Sequence, residues 1–374
     1  GNGMAQFLFS DILGDHKIYI GTELNINLKR SDYSFAYRYL PNMIDWTFLF
    51  FHDATELFKQ DVGNGFETTL YQQFRFAMNA SRPLSKFNRL DFGLGYHLLT
   101  THLDTYEDTG SYYDLVNSEF QTQDGIGTID MKYVWDNTRW FYTHPVSGSR
   151  IYIKYDFTPG DGVNDFNYNM LTFDSRSYFE LSYTGKISLA ARIYGGSSWG
   201  KNKRKYAIGG VPWVASSDAD LINTDYEDHL FYTDDDWYYM NNFVLPIRGY
   251  ELGSRFGNKA ILMNFELRLP MLVYYFPAIE YLGQIFGVFF VDMGVAWDDH
   301  YPKYNDRDSW NELEIDHTDD DSIDDGAGWI MSYGFGPRFI FLGFPWQLDF
   351  SWQYNPHRGT FSNRKWYLSI GMDF

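Results

Sequence analysis

Cysteine is absent from the 374 residues, which excludes zinc fingers, iron–sulfur ligation and a disulfide framework. A membrane-crossing helix is equally hard to find, because it needs about 20 apolar residues with almost no charge. The most apolar stretch, 271–291, is interrupted by Pro277, Glu280, Gly283 and Gln284, and its ends alternate as strands do. Mean hydropathy is −0.39, too low for a bundle of membrane helices. Basic residues are scarce: 30 Lys and Arg face 49 Asp and Glu, giving a net charge of −19. That balance makes nucleic acid an unsuitable partner, since binding it requires neutralising phosphates with cations. No export signal is visible either. The chain opens Gly1-Asn2-Gly3-Met4 and passes into a strand-like pattern. An exported chain of this kind has lost its leader or is the end of a longer protein.

Aromatics, by contrast, are abundant. Phe, Tyr and Trp make up 20% of the residues, with 31 Tyr and 33 Phe. Aromatic side chains pack well on a pleated sheet. The pattern is that of strands. In 346–354, Trp346, Leu348, Phe350, Trp352 and Tyr354 alternate with Gln347, Asp349, Ser351 and Gln353. In 365–374, Trp366, Leu368, Ile370, Met372 and Phe374 alternate with polar or small partners, Tyr367 apart. Period two puts one class on each face of a strand.

The same reading predicts strands at 328–341, 284–297, 259–270, 187–199, 170–184, 150–158, 120–135, 87–100, 66–80, 43–53, 32–40, 16–27 and 4–9. With 346–354 and 365–374 this gives fifteen segments. The extent of the alternation, the aromatic strand ends and the polar inner face favour an all-β, transmembrane antiparallel β-barrel over a soluble sandwich. Bacterial single-chain barrels have an even number of strands, so sixteen are expected, the hidden one near 111–120. Barrel spans the whole of 1–374, with no linker, repeat or second domain. The long acidic stretches near 200–258 and 298–327 contrast with tight turns such as Tyr183-Thr184-Gly185-Lys186. Because barrels of this class carry short periplasmic turns and long outer loops, the acidic stretches are placed outside.

Four local patterns, in order, carry a family resemblance. Asp136-Asn137-Thr138 followed by Pro145-Val146-Ser147-Gly148 resembles a D-x-R…P-x-x-G turn, with Thr138 preceding Arg139 as a departure. Tyr206-Ala207-Ile208-Gly209-Gly210 followed by Ile247-Arg248-Gly249-Tyr250 resembles a glycine pair and a (V/I)-R-G-(F/Y) motif. Asn264-Phe265-Glu266-Leu267-Arg268-Leu269-Pro270 and Phe289-Phe290-Val291-Asp292-Met293-Gly294-Val295-Ala296-Trp297 are similar to the two strands after that motif. Together they resemble the BamA/TamA superfamily of outer-membrane assembly factors, the bacterial surface antigen barrels. Ser10-Asp11-Ile12-Leu13-Gly14 fits the turn after that family's first strand.

The chemistry of the central motif also follows from alternation. If Ile261, Met263, Phe265 and Leu267 face lipid, then Asn264, Glu266 and Arg268 face the lumen; if Phe289, Val291, Met293 and Val295 face lipid, so does Asp292 face inward. A basic charge at the lipid midplane costs about 2–4 kcal/mol, which opposes the reverse orientation. The resemblance implies that the loop bearing Arg248 folds into the lumen. There its guanidinium is expected within hydrogen-bonding reach of Glu266 or Asp292. Gly249 would let the backbone pass close to the wall, and Tyr250 offers a flat face with a polar tip. Without the resemblance, Arg248 reads as one of many charges in a wet interior.

What the resemblance implies about function is assistance to unfolded outer-membrane or secreted client proteins entering or crossing the outer membrane, without enzymatic chemistry or a cofactor. A weak seam between the first and last strands, marked by Phe7 and Phe9 at one edge and Ile370 and Phe374 at the other, would open and template an incoming strand. Phe374 is also expected to act as a recognition element in the barrel's own assembly. The expected surroundings are outer-membrane lipids and lipopolysaccharide, with accessory periplasmic or lipoprotein subunits. Family members normally carry periplasmic POTRA domains before the barrel; none is legible in these residues, so the expectation is that they have been lost from this sequence or that another module precedes the barrel. That leaves open a barrel serving as membrane anchor, export pore or passive channel.

Other candidates point elsewhere less well. Residues 311–325 hold eight acidic side chains and no Lys or Arg, but Ile323 occupies a ligand position of the EF-hand template before Gly326. A solvated surface loop fits better, and no metal site is assigned. His97, His102 and Asp104 read as rim polar residues, because no catalytic constellation accompanies them.

Overall fold

The structure, a computed structural model, describes residues 3–24, 31–110, 113–141, 144–160, 167–182, 187–211, 214–217, 241–244, 246–250, 253–270, 285–298, 328–355 and 360–371. The described residues are overwhelmingly strand and contain no helix. They fall into two compact units: 1–133 with 154–169 and 200–202, and 134–153 with 170–199 and 203–374.

The first unit is a meander. It holds β1 (Gly3–Ser10), β2 (His16–Leu24), β3 (Asp32–Tyr39), β4 (Asp45–Val62), β5 (Gly65–Pro83), β6 (Asn88–Asp108) and most of β7 (Tyr113–Asp136). From β1 to β6 each strand pairs antiparallel with the next. The first turn is written in its residues: Asp11 accepts the His16 amide at 2.9 Å on its carboxylate, and Gly14 adopts φ +76°. An Asp that bonds its own turn and a Gly that tolerates positive φ are the usual means of a tight reversal. β1 is thinly covered, with Phe7, Leu8 and Phe9 each more than half exposed although successive side chains point to opposite faces.

The second unit holds the end of β7, then β8 (Arg139–Phe141), most of β9 (His144–Thr158), of β10 (Tyr168–Glu180) and of β11 (Ser188–Gly200), β12 (Lys205–Ile208), β13 (Ala215–Ser216), β14 (Asn241–Val244), β15 (Arg255–Gly257), β16 (Lys259–Leu269), β17 (Phe286–Trp297), β18 (Ile330–Phe341), β19 (Phe344–Asn355), β20 (Thr360–Phe361) and β21 (Lys365–Ile370). Its wall runs β11–β16–β17–β18–β19–β21, every pair antiparallel. A separate three-stranded sheet has β12 at its centre, parallel to β14 and antiparallel to β15.

The wall of this unit is inside out relative to a soluble sheet. Its buried face carries Asp174, Arg192, Asn264, Glu266, Arg268, Asp292, Arg338 and Asp349. Its exposed face carries Leu171, Ile193, Phe265, Phe289, Tyr333 and Phe335. Charged residues are almost never fully buried in soluble proteins unless paired. A polar interior behind an apolar outer face is the arrangement a sheet adopts when its outer solvent is lipid.

The structure alters several expectations. Residues 113–120 are not a strand of their own but the beginning of the 24-residue β7. The segment hid because its side chains are exposed on both faces, so nothing imposed an apolar period. β4, β5 and β6 run longer than expected, at 18, 19 and 21 residues. Within 200–246, read as irregular, β12, β13 and β14 appear; each is four residues or fewer, too short for a period of two to show. Val295 shares the parity of Phe289 and Met293 but is 1% exposed, so the apolar outer face ends before it. Residues 311–325 and Phe374 lie outside the described residues.

Candidate functional site: the Arg248 cluster and the edge of the last strand

Alternation along β16 and β17 builds the floor of the site. Asn264, Glu266 and Arg268 on β16 and Asp292 on β17 are all turned to the buried face, each at most 1% exposed. Asn264 stands directly opposite Asp292 in the ladder. Arg248 reaches this floor from the segment 246–250. Its Nε donates to Asp292 Oδ2 at 2.7 Å and its Nη2 to Asp292 Oδ1 at 2.8 Å, a bidentate fork. Its Nη1 donates to Glu266 Oε1 at 2.9 Å, and its backbone N–H to Asp292 Oδ2 at 3.1 Å. The guanidinium carbon lies 3.6 Å from the centroid of the Phe290 ring, well inside cation–π range.

The cluster extends on both sides. Arg268 donates from Nη2 and Nε to Glu266 Oε2 at 2.8 and 3.1 Å, so Glu266 bridges two arginines. Arg268 also donates from Nη1 to the carbonyl of Pro145 at 3.1 Å. Asn264 donates from Nδ2 to Asp292 Oδ1 and to the carbonyl of Pro246, both at 2.8 Å. Two cations and two anions balance, and their hydrogen-bonding groups are largely occupied. That is the condition under which a buried ionic cluster is tolerated.

The residues beside Arg248 fasten the same segment to further strands. Tyr250 Oη donates to the Met331 carbonyl of β18 at 3.1 Å. Gln353 of β19 donates from Nε2 to the Gly249 carbonyl at 2.7 Å. Ile247 exchanges two backbone bonds of 3.1 Å with Gly210. Gly294 lies directly beneath the Ile247 and Ile208 side chains, where a Cβ would meet both. The segment is thus held across β16, β17, β18 and β19. Gly249 has φ +96°, and a Cβ there would lie 3.2 Å from Ser351 Oγ. Gly249→Ala is expected to lower stability by about 1–3 kcal/mol, from the left-handed backbone and the tight contact together. Urea unfolding of the folded protein in detergent checks this, and an unchanged midpoint would refute the fit.

The Asp136…Gly148 pattern forms a capped hairpin. Asp136 Oδ1 accepts the backbone N–H and the hydroxyl of Thr138 at 3.1 and 2.6 Å. Asn137 Oδ1 accepts the Ser149 amide at 2.7 Å, and Gly148 takes φ +93°. This hairpin supplies the Pro145 carbonyl that Arg268 holds. Sequence reasoning placed Arg268 inward but missed that link, because a backbone acceptor leaves no trace in residue type. It also missed Asp174, which binds Arg192 at 2.9 Å and Arg176 at 3.0 Å, and Arg338 with Asp349 at 2.8 Å. Their inward parity was readable; their pairing was not.

Of the residues assigned to a seam, Phe7 and Phe9 lie on β1 opposite Ile20 and Ile18 of β2. Ile370 lies on β21 opposite Trp346 of β19. The other edge of β21 takes a different partner. Ala215 stands opposite Leu368 and Ser216 opposite Tyr367 in an antiparallel pair. Val214 donates its amide to the Leu368 carbonyl at 2.7 Å, Ser217 its amide to the Trp366 carbonyl at 3.0 Å, and the Trp366 amide donates to Ser217 Oγ at 3.0 Å. His97 and His102 do not form a site. They sit at positions of opposite parity on β6, His97 against Gln73 at 2.8 Å and His102 against the Phe120 ring at 5.8 Å.

Comparison with known proteins adds to this geometry. The structure of BamA from Haemophilus ducreyi lacking POTRA domains 1–3 superposes with a TM-score of 0.63 at 13% identity, covering 98% of this chain and 66% of that one. CdiB from Acinetobacter baumannii gives 0.54 at 10% identity, covering 99% of this chain and 56% of that one. CdiB from Escherichia coli gives 0.52 at 11% identity, covering 97% and 58%. This chain therefore spans less than two thirds of each of these chains. At such identities the likeness is one of fold. Among curated proteins, none matches the sequence. The family model described as the Omp85 superfamily domain matches residues 19–374, so the chain belongs to the Omp85 superfamily and is a bacterial outer-membrane β-barrel.

Proposed function

We propose that this barrel assists unfolded outer-membrane or secreted proteins in entering or crossing the outer membrane, and that it does so at the edge of its last strand. The observation that carries the reading is the strand-accepting edge of β21. A four-residue segment distant in sequence completes a ladder there, with backbone bonds of 2.7 and 3.0 Å. A strand edge that takes one visiting segment through main-chain bonds has the chemistry to take another, whatever its sequence. The Arg248 cluster supports the same reading. It fixes β16–β19 as one rigid panel beside β21, and the panel gives the edge a constant geometry. The work needs no covalent chemistry and no cofactor. Outer-membrane lipids and lipopolysaccharide surround the barrel, and accessory periplasmic or lipoprotein subunits deliver clients.

A photo-activated cross-linker at Ile370, in the full-length protein in cells, tests the proposal. Adducts with newly made barrel or secreted proteins are expected. A protein that forms no such adducts, but conducts ions in steady open steps when reconstituted, would be a channel instead.

The topology has its own test. The acidic stretches 200–246 and 298–327 are expected on the outer surface, both open to protease added to intact cells. Cleavage of either one only from the periplasmic side would overturn that arrangement.

A further inference from the structure

The segment on β21 comes from the loop that carries Arg248, and this placement suggests more than a convenient filler. Hydrogen bonds and sequence neighbourhood link the two. Arg248 is bound to Asp292 and Glu266. Ile247, its neighbour, is bonded in both directions to Gly210. Val214, four residues beyond Gly210, begins the contact with Leu368. An ionic cluster buried behind the wall is therefore joined by a few residues of chain to the strand edge.

We infer that residues 214–217 are a resident strand: an autoinhibitory segment that occupies the client-accepting edge of β21 at rest, is held in register by the Arg248 cluster, and leaves before a client strand pairs. The inference rests on the function proposed above.

Three features suit this segment to temporary occupancy. Among the described residues it is short: β13 itself is two residues, and the contact spans 214–217. Each backbone bond contributes about 0.5–1.5 kcal/mol net, so a few of them make a grip that a longer client ladder outcompetes. Its sequence, Val214-Ala215-Ser216-Ser217, carries no charge and only one large apolar side chain, and Val214 is 55% exposed. Little side-chain burial therefore opposes departure. One of its anchors is a hydroxyl, Ser217 Oγ, accepting the Trp366 amide where a regular ladder would place a backbone carbonyl. An incoming strand offers a carbonyl at this place instead.

The anchor upstream has the opposite character. Arg248 is 2% exposed and fully engaged. One end of the tether is thus fixed and the other is weakly held. A tether of this kind keeps the resident strand at high local concentration near β21, so that it returns when a client leaves.

The chain has no cysteine, so paired cysteines report cleanly. Ala215→Cys with Leu368→Cys, in the full-length protein in its membrane, places two thiols directly across an antiparallel ladder, a separation that permits a disulfide. Under mild oxidation the cross-link is expected in most molecules at rest. Client assembly should then fall at least tenfold, and reductant should restore it. Adding Arg248→Lys should lower the cross-linked fraction several-fold in whatever protein remains folded, because Lys cannot reproduce the bidentate fork. A second variant, Ala215→Pro with Ser217→Pro, removes the Ser217 donor and should raise client adducts at Ile370 in the cross-linker assay. Failure of the cysteines to cross-link would overturn the resident strand. So would a complete cross-link that leaves client assembly unchanged; in that case the assembly function itself still stands. If the unmodified protein yields no client adducts and no assembly, the function proposed above fails, and the inference fails with it.

Discussion

Arg248→Ala is expected to destabilise the folded barrel by about 3–5 kcal/mol. The figure follows from what the substitution leaves behind. Asp292 at 0% exposure and Glu266 at 1% lose the cation that satisfies them, and neither can reach water. Removing one partner of a buried ion pair costs this much because the other charge remains desolvated. Asp292 keeps only the Asn264 amide and one backbone N–H, while Glu266 keeps Arg268. Loss of the Phe290 stacking adds to the deficit. Arg248→Lys is expected to cost less than alanine but clearly more than a surface change, since an ammonium reaches one carboxylate and not both. The measurement is the urea midpoint of the folded, heat-modifiable form in detergent. A midpoint within the range of surface substitutions would mean that the cluster is wet and that Arg248 is one lumen charge among many. A double substitution with Asp292→Asn separates the pair: the two changes together should cost less than the sum of each alone.

Arg268→Met is the second large effect, at about 2–4 kcal/mol. Arg268 is 0% exposed and holds Glu266 and the Pro145 carbonyl at once. Methionine fills part of the space but donates nothing, so a buried carboxylate oxygen and a backbone carbonyl lose their donors. Arg268 ties a hairpin 123 residues earlier in the chain to β16. The substitution should therefore loosen the hairpin around 136–149 as well as the cluster. Amide exchange distinguishes the two cases. Faster exchange at Asn137 and Ser149, whose amides are bonded across the hairpin, is expected in Arg268→Met. Arg248→Ala leaves Arg268 on Pro145, so exchange there should change less. Equal exchange in both variants would show that the hairpin is held by its own turn bonds alone.

The wall and the cluster were legible in the sequence for one reason. Where one side of a strand meets lipid and the other meets a polar interior, every second residue is constrained, and a charge such as Asp292 in Phe289-Phe290-Val291-Asp292-Met293 has only one tolerable direction. The position of Arg248 was legible only through the resemblance of Ile247-Arg248-Gly249-Tyr250, because a loop has no period. Main-chain contacts left no mark at all. The pairing of Val214 with Leu368, the Gly210–Ile247 bridge and the Pro145 acceptor use groups that every residue possesses. The length of β7 escaped for the opposite reason: at Tyr113, Leu115, Val116 and Phe120 large apolar side chains are exposed, on both faces of the strand, and no alternation marks where the strand begins.

That length has a consequence of its own. β3 ends its pairing with β4 at Tyr33 and His52, yet β4 continues to Val62 and stays paired with β5 as far as Gly65. At roughly 3.3 Å per residue, the ten residues from His52 to Val62 carry the ribbon some 30 Å past the point where β3 stops. A spanning strand needs only about 9–11 residues. The excess lies at the end opposite the Asp11–Gly14 reversal, and in the topology proposed above, with 200–246 outside, strand alternation directs that end outward. The ribbon is a mast. A peptide tag placed between Gly63 and Asn64, at its tip, would be displayed well beyond the end of β3, where antibodies could count the protein on living cells.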